Sequence, residues 1–283
     1  MDVFDEPKYR KLVKDNNVNY LCHLAGILSA SGEKNPDLAI DVNVIGATNA
    51  LRIARDVKAR CFIPSSIAVF GGPHFPKVNT PIDVILKPTT IYGVSKVYNE
   101  MMGEYFANKY NLDFRSIRYP GIISSEKYAF NGTTDYSTEI FFHALEKCEY
   151  KCPLGPKTPL PMMYIDDCIS GTVDFLSADP NKLTRTCYNF AGISFTPEQL
   201  AAEVEKLIPG FKMIYQPDFR QAIADSWPGS IDDKEARQDW GWKYDISVAD
   251  LAKKIFDGID GMYKAHLHLS NDPKRRLHKE MTK

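Results

Sequence analysis

Through its first two-thirds the chain alternates short apolar runs with stretches of helical periodicity, and that alternation limits the fold more than any other feature. Strand-length runs separated by amphipathic helices specify a parallel sheet with crossover helices, an α/β architecture. Residues 19–25 (Asn-Tyr-Leu-Cys-His-Leu-Ala) read as a buried strand ending in a small-residue loop. A helix is expected from about Pro36 to Val57, where Val42, Ile45, Ile53 and Ala54 fall near helical spacing. Residues 60–66 (Arg-Cys-Phe-Ile-Pro-Ser-Ser) are the next strand, running into a serine-rich turn. Gly71 to Lys87 is a long loop rich in proline and glycine, a kind of segment that often carries function. A long helix then spans about Thr90 to Tyr110, and Phe114–Tyr119 is a short strand stopped by Pro120-Gly121.

Beyond about residue 125 the rhythm changes. Lys127 to Ser137 is a polar, glycine-containing loop, and Cys152 to Met162 holds four prolines. Met163–Cys168 leads into another helix. Thr196-Pro197-Glu198-Gln199 is a helix start, with a threonine cap, proline at the first helical position and glutamine three residues after the cap. The expected organisation is a sheet-building part over 1–125, a second part over 126–262 with some segments returning to the sheet, and a flexible tail over 263–283. That tail carries Lys274-Arg275-Arg276, read as a solvated terminus.

Composition removes several function classes. A net charge of -1 over 283 residues argues against nucleic acid or an anionic membrane surface as a partner. No apolar run approaches the roughly 18 residues that span a bilayer. The N-terminus, acidic from Asp2 onward, looks like neither a signal nor a transit peptide. Six scattered cysteines read as reduced core residues of an intracellular protein, and the lone pair Cys148/Cys152 has no second ligand pair for zinc. No metal is expected.

The chemistry concentrates in Tyr92-Gly93-Val94-Ser95-Lys96. Residues four apart on a helix share a face, so Tyr92 and Lys96 project together. A free phenol, with a pKa of about 10, is a poor base at neutral pH. A neighbouring ammonium favours the phenolate and brings the group toward the range of general-base catalysis. The bare spacing arises by chance in many proteins. Its context is less accidental: Ser65-Ser66 closes a strand, where open α/β sheets place their ligand crevice, and the long loop and then Tyr-x-x-x-Lys follow in order. A hydroxyl at Ser66 can donate to a substrate oxygen while the tyrosine removes its proton.

The ordered set Leu24-Ala25-Gly26, Asn43-Val44-Ile45-Gly46, residues 64–71, Tyr92–Lys96 and Arg118-Tyr119-Pro120-Gly121 resembles the extended short-chain dehydrogenase/reductase family. Residues 232–242, with Asp239-Trp240-Gly241-Trp242, look like its C-terminal signature, so the resemblance covers nearly the whole chain to about residue 262. It implies a Rossmann-like doubly wound parallel sheet, lacking its first βαβ elements, as a nucleotide-binding part over 1–125, with a smaller, mainly substrate-binding C-terminal part over 126–262. Within the family, residues 27–30 (Ile-Leu-Ser-Ala), 132–136 (Gly-Thr-Thr-Asp-Tyr) and 224–228 (Ala-Asp-Ser-Trp-Pro) are similar to the threonine-oxidising branch. Nucleotide-sugar epimerases and dehydratases, the alternative, usually clamp a diphosphate with basic residues where this chain has hydroxyls and a tryptophan.

The resemblance implies NAD-dependent oxidation of the C3 hydroxyl of L-threonine to 2-amino-3-ketobutyrate. Tyr92 would be the general base, Lys96 would hold the nicotinamide ribose and lower the Tyr92 pKa, and Ser66 would hydrogen-bond the reacting oxygen. Ser29, Thr134 and Trp227 are the implied substrate contacts. Asp2 and Val3 would meet the adenine, and Leu24, Ala25 and Gly26 the pyrophosphate and ribose. Tyr119, Pro120 and Ile122 would wall the nicotinamide side. Asn43 would support the catalytic hydroxyl network or the helix geometry. The same resemblance implies a homodimer formed through the helices at 36–57 and 90–110. It also implies a mitochondrial location if the source is eukaryotic and a cytoplasmic one otherwise.

One departure stands out. The family begins with a strand, a glycine-rich turn on a helix N-terminus, and a second strand ending in an acid. None of these precedes Asp2, so on the order of 50 residues of the usual βαβ unit have no counterpart. Weak NAD binding, an exposed apolar edge on the 19–25 strand and little or no activity are therefore expected. A non-catalytic chain that pairs with full-length subunits is the further alternative.

Overall fold

A computed structural model describes residues 2–73, 75–126 and 132–270; Lys274–Arg276 and the first residues of the 127–137 loop lie outside the described residues. Helix α1 (Glu6–Asp15) is capped by the Asp5 carboxylate, which accepts from the Lys8 N–H at 3.1 Å. Strand β1 (Tyr20–Cys22) is followed by α2 (Ser29–Lys34) and α3 (Pro36–Ile40), the latter capped by the Asn35 side chain with proline at its first turn. The chain makes a π-helical turn over Asp41–Gly46 and continues as α4 (Ala47–Val57), ended by Lys58 at φ 58°. The predicted 36–57 helix is thus continuous but widened by one turn. That turn carries Asn43, whose side chain bonds away from the helix, and apolar periodicity does not report such a detour.

The predicted 60–66 strand divides into β2 (Arg60–Phe62) and β3 (Ser65–Ser66). Pro64 has no N–H to give the ladder, which accounts for the break. Ser66 then caps a short 3-10 turn by accepting from the Ala68 N–H at 3.2 Å. Helix α5 (Ile91–Tyr110) starts at Thr90, whose hydroxyl accepts from the Gly93 N–H at 3.1 Å, and it is followed by β4 (Phe114–Tyr119).

The second half supplies β5 (Gly121–Ile123), α6 (Tyr136–Lys147), β6 (Glu149–Cys152), β7 (Leu160–Tyr164) and α7 (Ile165–Ser177). It continues with β8 (Cys187–Asn189), β9 (Ile193–Phe195), α8 (Pro197–Leu207) and β10 (Lys212–Tyr215). Helices α9 (Phe219–Ser226), α10 (Lys234–Trp240) and α11 (Val248–Ser270) complete it, α11 passing through the first residues of the expected tail. The predicted capping box holds: Thr196 accepts from the Gln199 N–H at 3.3 Å, and the Gln199 side chain accepts from the Thr196 N–H at 2.8 Å.

Strand β4 is the hub of the main sheet. It runs parallel to β2 (Cys61 opposite Phe114), to β3 (Ser65 opposite Arg118) and to β8 (Ser116 opposite Cys187). Alternate side chains go to opposite faces. Cys61 and Phe114 pack with α4 and α5, whereas Phe62 and Ile117 pack with Phe175 of α7 and Trp242, so the sheet is covered on both sides. β1 joins only β2 among the described residues, and Tyr20 and Leu24 are exposed there. The third and largest core cluster lies under α6, α8 and α11 and includes Trp227, Leu251 and Ile255. Three cysteines are buried, but Cys22 and Cys148 are exposed, so core burial does not describe them all. No helix among the described residues is long and apolar enough to cross a membrane.

His23, just past β1, is 3% exposed, and its Nε2 has no hydrogen-bond partner. Burial, reinforced by the Lys96 ammonium, lowers its pKa from 6.5 to about 4. Between those two pH values the unfolded chain binds the proton and the folded chain does not, so stability falls as pH drops. The shift sets this loss at up to about 3 kcal/mol. Urea unfolding of the native chain and His23→Leu at pH 7 and pH 4.5 should show a smaller acid loss in the variant; equal losses would remove His23 as the cause.

Candidate active site

The strand ends of β1, β3 and β4 open into a cavity of about 730 Å³, completed by the loops around residues 26–29, 120–126 and 132–135 and by Trp227. Its position, beyond the carboxyl ends of parallel strands, is where open α/β sheets hold ligands. Pro64, which breaks the strand, also leaves its carbonyl to accept from the Lys96 ammonium at 2.7 Å. Lys96 lies over the Tyr92 ring, its nitrogen 5.4 Å from the centroid. Tyr92, Lys96 and Ser66 therefore face one space.

Burial sets the electrostatics. It pushes the Tyr92 phenol up, and hydrogen bonding with Ser66 pulls against it. The lowering of Tyr92 expected from Lys96 is not found: the net direction is upward, set by desolvation of the phenolate, and the opposing pull comes from Ser66. Lys96 is itself lowered to about 8 by burial, with Glu100 opposing the shift.

Another part of the cavity wall combines Ser29 with residues from the second half of the chain. Ser29, 4% exposed, shares a 3.2 Å hydrogen bond with Thr133. The Gly132 N–H donates to the Asp135 carboxylate at 2.6 Å, and the Thr134 carbonyl accepts from the Ser137 hydroxyl at 2.7 Å, fixing this turn at the start of α6. The turn lies close to β5: a Cβ on Gly121 would fall 2.4 Å from the Met162 sulfur and 2.8 Å from the Thr134 Cβ, so no larger residue fits. Trp227 is both cavity wall and core, 6% exposed. Its carbonyl and that of Asp225 accept from Lys77 at 3.0 and 2.9 Å, so the long loop holds it in place.

Of the residues singled out in the sequence, Leu24, Gly26, Ser29, Ser66, Tyr92, Lys96, Tyr119, Pro120, Ile122, Thr134 and Trp227 line this cavity. Asp2, Val3 and Ala25 do not. The Asp2 carboxylate accepts from the Phe4 N–H at 2.9 Å, and Val3 sits against Gly46, with its carbonyl accepting from Asn49 at 3.2 Å. Ala25 is exposed beside the lining. Asn43 acts one layer behind: it accepts from the Ile27 N–H at 2.8 Å and donates to the Ile27 carbonyl at 3.0 Å and Ser95 at 3.2 Å. It thereby ties the 26–28 loop to α5. Sequence reasoning passed over Thr133, Tyr164 and Asp166, which also line the cavity. Thr133 stands within a singled-out string, but nothing local separates its role from that of Thr134.

The donor set suits a nicotinamide cofactor. The ammonium of Lys96 carries three protons, of which one is used on Pro64, and Tyr119, Pro120 and Ile122 form an apolar wall beside it. No group of His, Cys, Asp and Glu among the described residues is arranged to hold a metal ion. Lys96 is the single Lys or Arg among the described lining residues, against Glu126, Asp135 and Asp166.

Comparison with known proteins agrees with this geometry. The chain is 47% identical over 257 residues to the mitochondrial L-threonine 3-dehydrogenase of Bos taurus, covering 90% of this chain and 69% of the bovine protein. Its structure superposes on a crystal structure of L-threonine dehydrogenase from Phytophthora infestans with a TM-score of 0.90 and 44% identity, covering 92% and 85% of the two chains. A monomeric L-threonine 3-dehydrogenase from a metagenome gives 0.88 and 40%, covering 92% and 84%. Residues 1–190 match the NAD dependent epimerase/dehydratase family, and the chain belongs to it.

Proposed function

We propose that this chain oxidises the C3 hydroxyl of L-threonine to 2-amino-3-ketobutyrate with NAD. One observation carries the reading: Ser66, Tyr92 and Lys96 share a cavity with Ser29, Thr134 and Trp227, where Lys96 is the single cation among the described lining residues. A threonine, with its ammonium and carboxylate, suits hydroxyls and carboxylates better than a nucleotide sugar would, because a second diphosphate needs cationic partners.

In the proposed mechanism Ser66 donates to the C3 oxygen and holds it beside Tyr92. Tyr92 accepts the hydroxyl proton as the C3–H bond gives up its hydride. Lys96, held by the Pro64 carbonyl, would hold the cofactor's ribose hydroxyls with its remaining protons. Ser29 and Thr134 hydrogen-bond the amino-acid end, and Trp227 closes the apolar side against water. When bound, NAD would supply the hydride acceptor and a positive charge that favours the phenolate disfavoured by burial alone.

The mammalian relative is named as mitochondrial, and we assign this chain to the same compartment if its source is a eukaryote. We also propose a homodimer. Leu38, Ile40 and Ile45 with Val94, Met101 and Tyr105 leave an exposed apolar face along the two helices.

Two measurements test these proposals. Threonine with saturating NAD should raise absorbance at the NADH band, and Tyr92→Phe should lower kcat about a hundred- to ten-thousand-fold. Turnover of UDP- or dTDP-sugars without threonine oxidation would instead support the epimerase alternative. Light scattering should give twice the mass of one chain; a single-chain mass at every concentration would refute the dimer.

A further inference from the structure

Glu100 stands one turn beyond Lys96 on α5 and is 7% exposed. Its carboxylate accepts from Arg118 Nε at 2.9 Å and Nη2 at 2.7 Å, and from the Ser65 hydroxyl at 2.5 Å. Arg118, 6% exposed, belongs to β4 and directly precedes Tyr119-Pro120 of the cavity wall. Its Nη1 donates to the Ile82 carbonyl at 2.8 Å and to Asn189 at 3.4 Å. Asn189 in turn donates to the carbonyls of Thr80 at 3.2 Å and Asp232 at 2.9 Å, beside the bridge between Thr80 and Ile231. One buried ion pair therefore touches the helix of Tyr92 and Lys96, the strand of Ser66, the strand leading to Tyr119-Pro120 and the long loop, and reaches the segment that follows Trp227 through Asn189.

A buried ion pair contributes little net stability, since desolvation cancels most of its attraction. Bidentate geometry instead fixes orientation. Resting on the proposed threonine oxidation, we propose that Glu100, Arg118 and Ser65 are the positioning residues that set Ser66 and Lys96 against Tyr92. None of the three needs to touch the reacting atoms. Their effect is to lock the register between α5 and the β3–β4 edge, on which the Ser66–Tyr92 and Lys96–Pro64 contacts both depend.

Charge and position can be separated. Glu100→Gln keeps the size and an acceptor but removes the carboxylate that opposes the lowering of Lys96, so the Lys96 ammonium should lose its proton at lower pH and the alkaline limb of kcat should move down. The double change Glu100→Leu with Arg118→Met removes the pair as a whole, so neither partner is left buried and unpaired. This variant should remain folded, keep KM for threonine within about twofold and lose kcat tenfold or more, because small misplacement of reacting groups is costly. The Tyr92 signal in 13C-tyrosine NMR, assigned with Tyr92→Phe, should shift in both variants and reports position without turnover. A shifted Tyr92 signal in a chain inactive on threonine would sink the substrate reading and leave the positioning claim standing. An unshifted signal with unchanged kcat in both variants, and an unmoved alkaline limb in Glu100→Gln, would overturn the claim. If the double variant fails to fold, Glu100→Gln alone decides by the same two readouts.

Discussion

Helix α5 lies so close to the sheet that two of its positions admit no side chain, and the site depends on that approach. A Cβ on Gly93 would fall 2.2 Å from the Ala68 carbonyl oxygen, and one on Gly103 would fall 2.1 Å from the Phe114 ring. With hydrogen at both positions, the helix can bring Tyr92 and Lys96 against the end of β3. Lys96 then reaches the Pro64 carbonyl, which exists as a free acceptor because proline interrupts the ladder there. Close packing, strand break and buried ammonium are one arrangement. None of the three would place the phenol without the others.

Much of this was legible in the sequence, for physical reasons. Strand–helix alternation reports a two-faced sheet because burial on both faces demands continuous apolar runs, and β2, β4, α4 and α5 fall where those runs predict. Thr196 and Gln199 announce their helix because a capping box is local chemistry. The Tyr92–Lys96 spacing is also local. Other features are set by contacts distant in sequence. The π turn at Asn43 answers to Ile27 and Ser95, and Glu100 meets Arg118 through the pairing of a helix with a strand. Asp2, Val3 and Ala25 were assigned from the resemblance alone, and they lie against α4 or in solvent instead of lining the cavity.

The family scaffold supports more than one reaction, so fold alone does not choose the substrate. What favours a small amino acid is the lining, where Ser29, the 132–135 turn and Trp227 share the cavity with Tyr92 and bring hydroxyls and an indole in place of cations. The electrostatics agree. Burial holds the phenol protonated, and carboxylates outnumber the lone ammonium in the described lining, so a cationic ring and a zwitterionic substrate complement the pocket better than a second diphosphate.

Hydride transfer from C3 of threonine is the central claim, and isotope tracing tests it most directly. L-threonine carrying deuterium at C3, incubated with the chain and NAD, should deliver that deuterium to C4 of the NADH formed, with a slower rate than unlabelled threonine. NADH that carries no deuterium, or no NADH from threonine under conditions where a nucleotide sugar is converted, would contradict it.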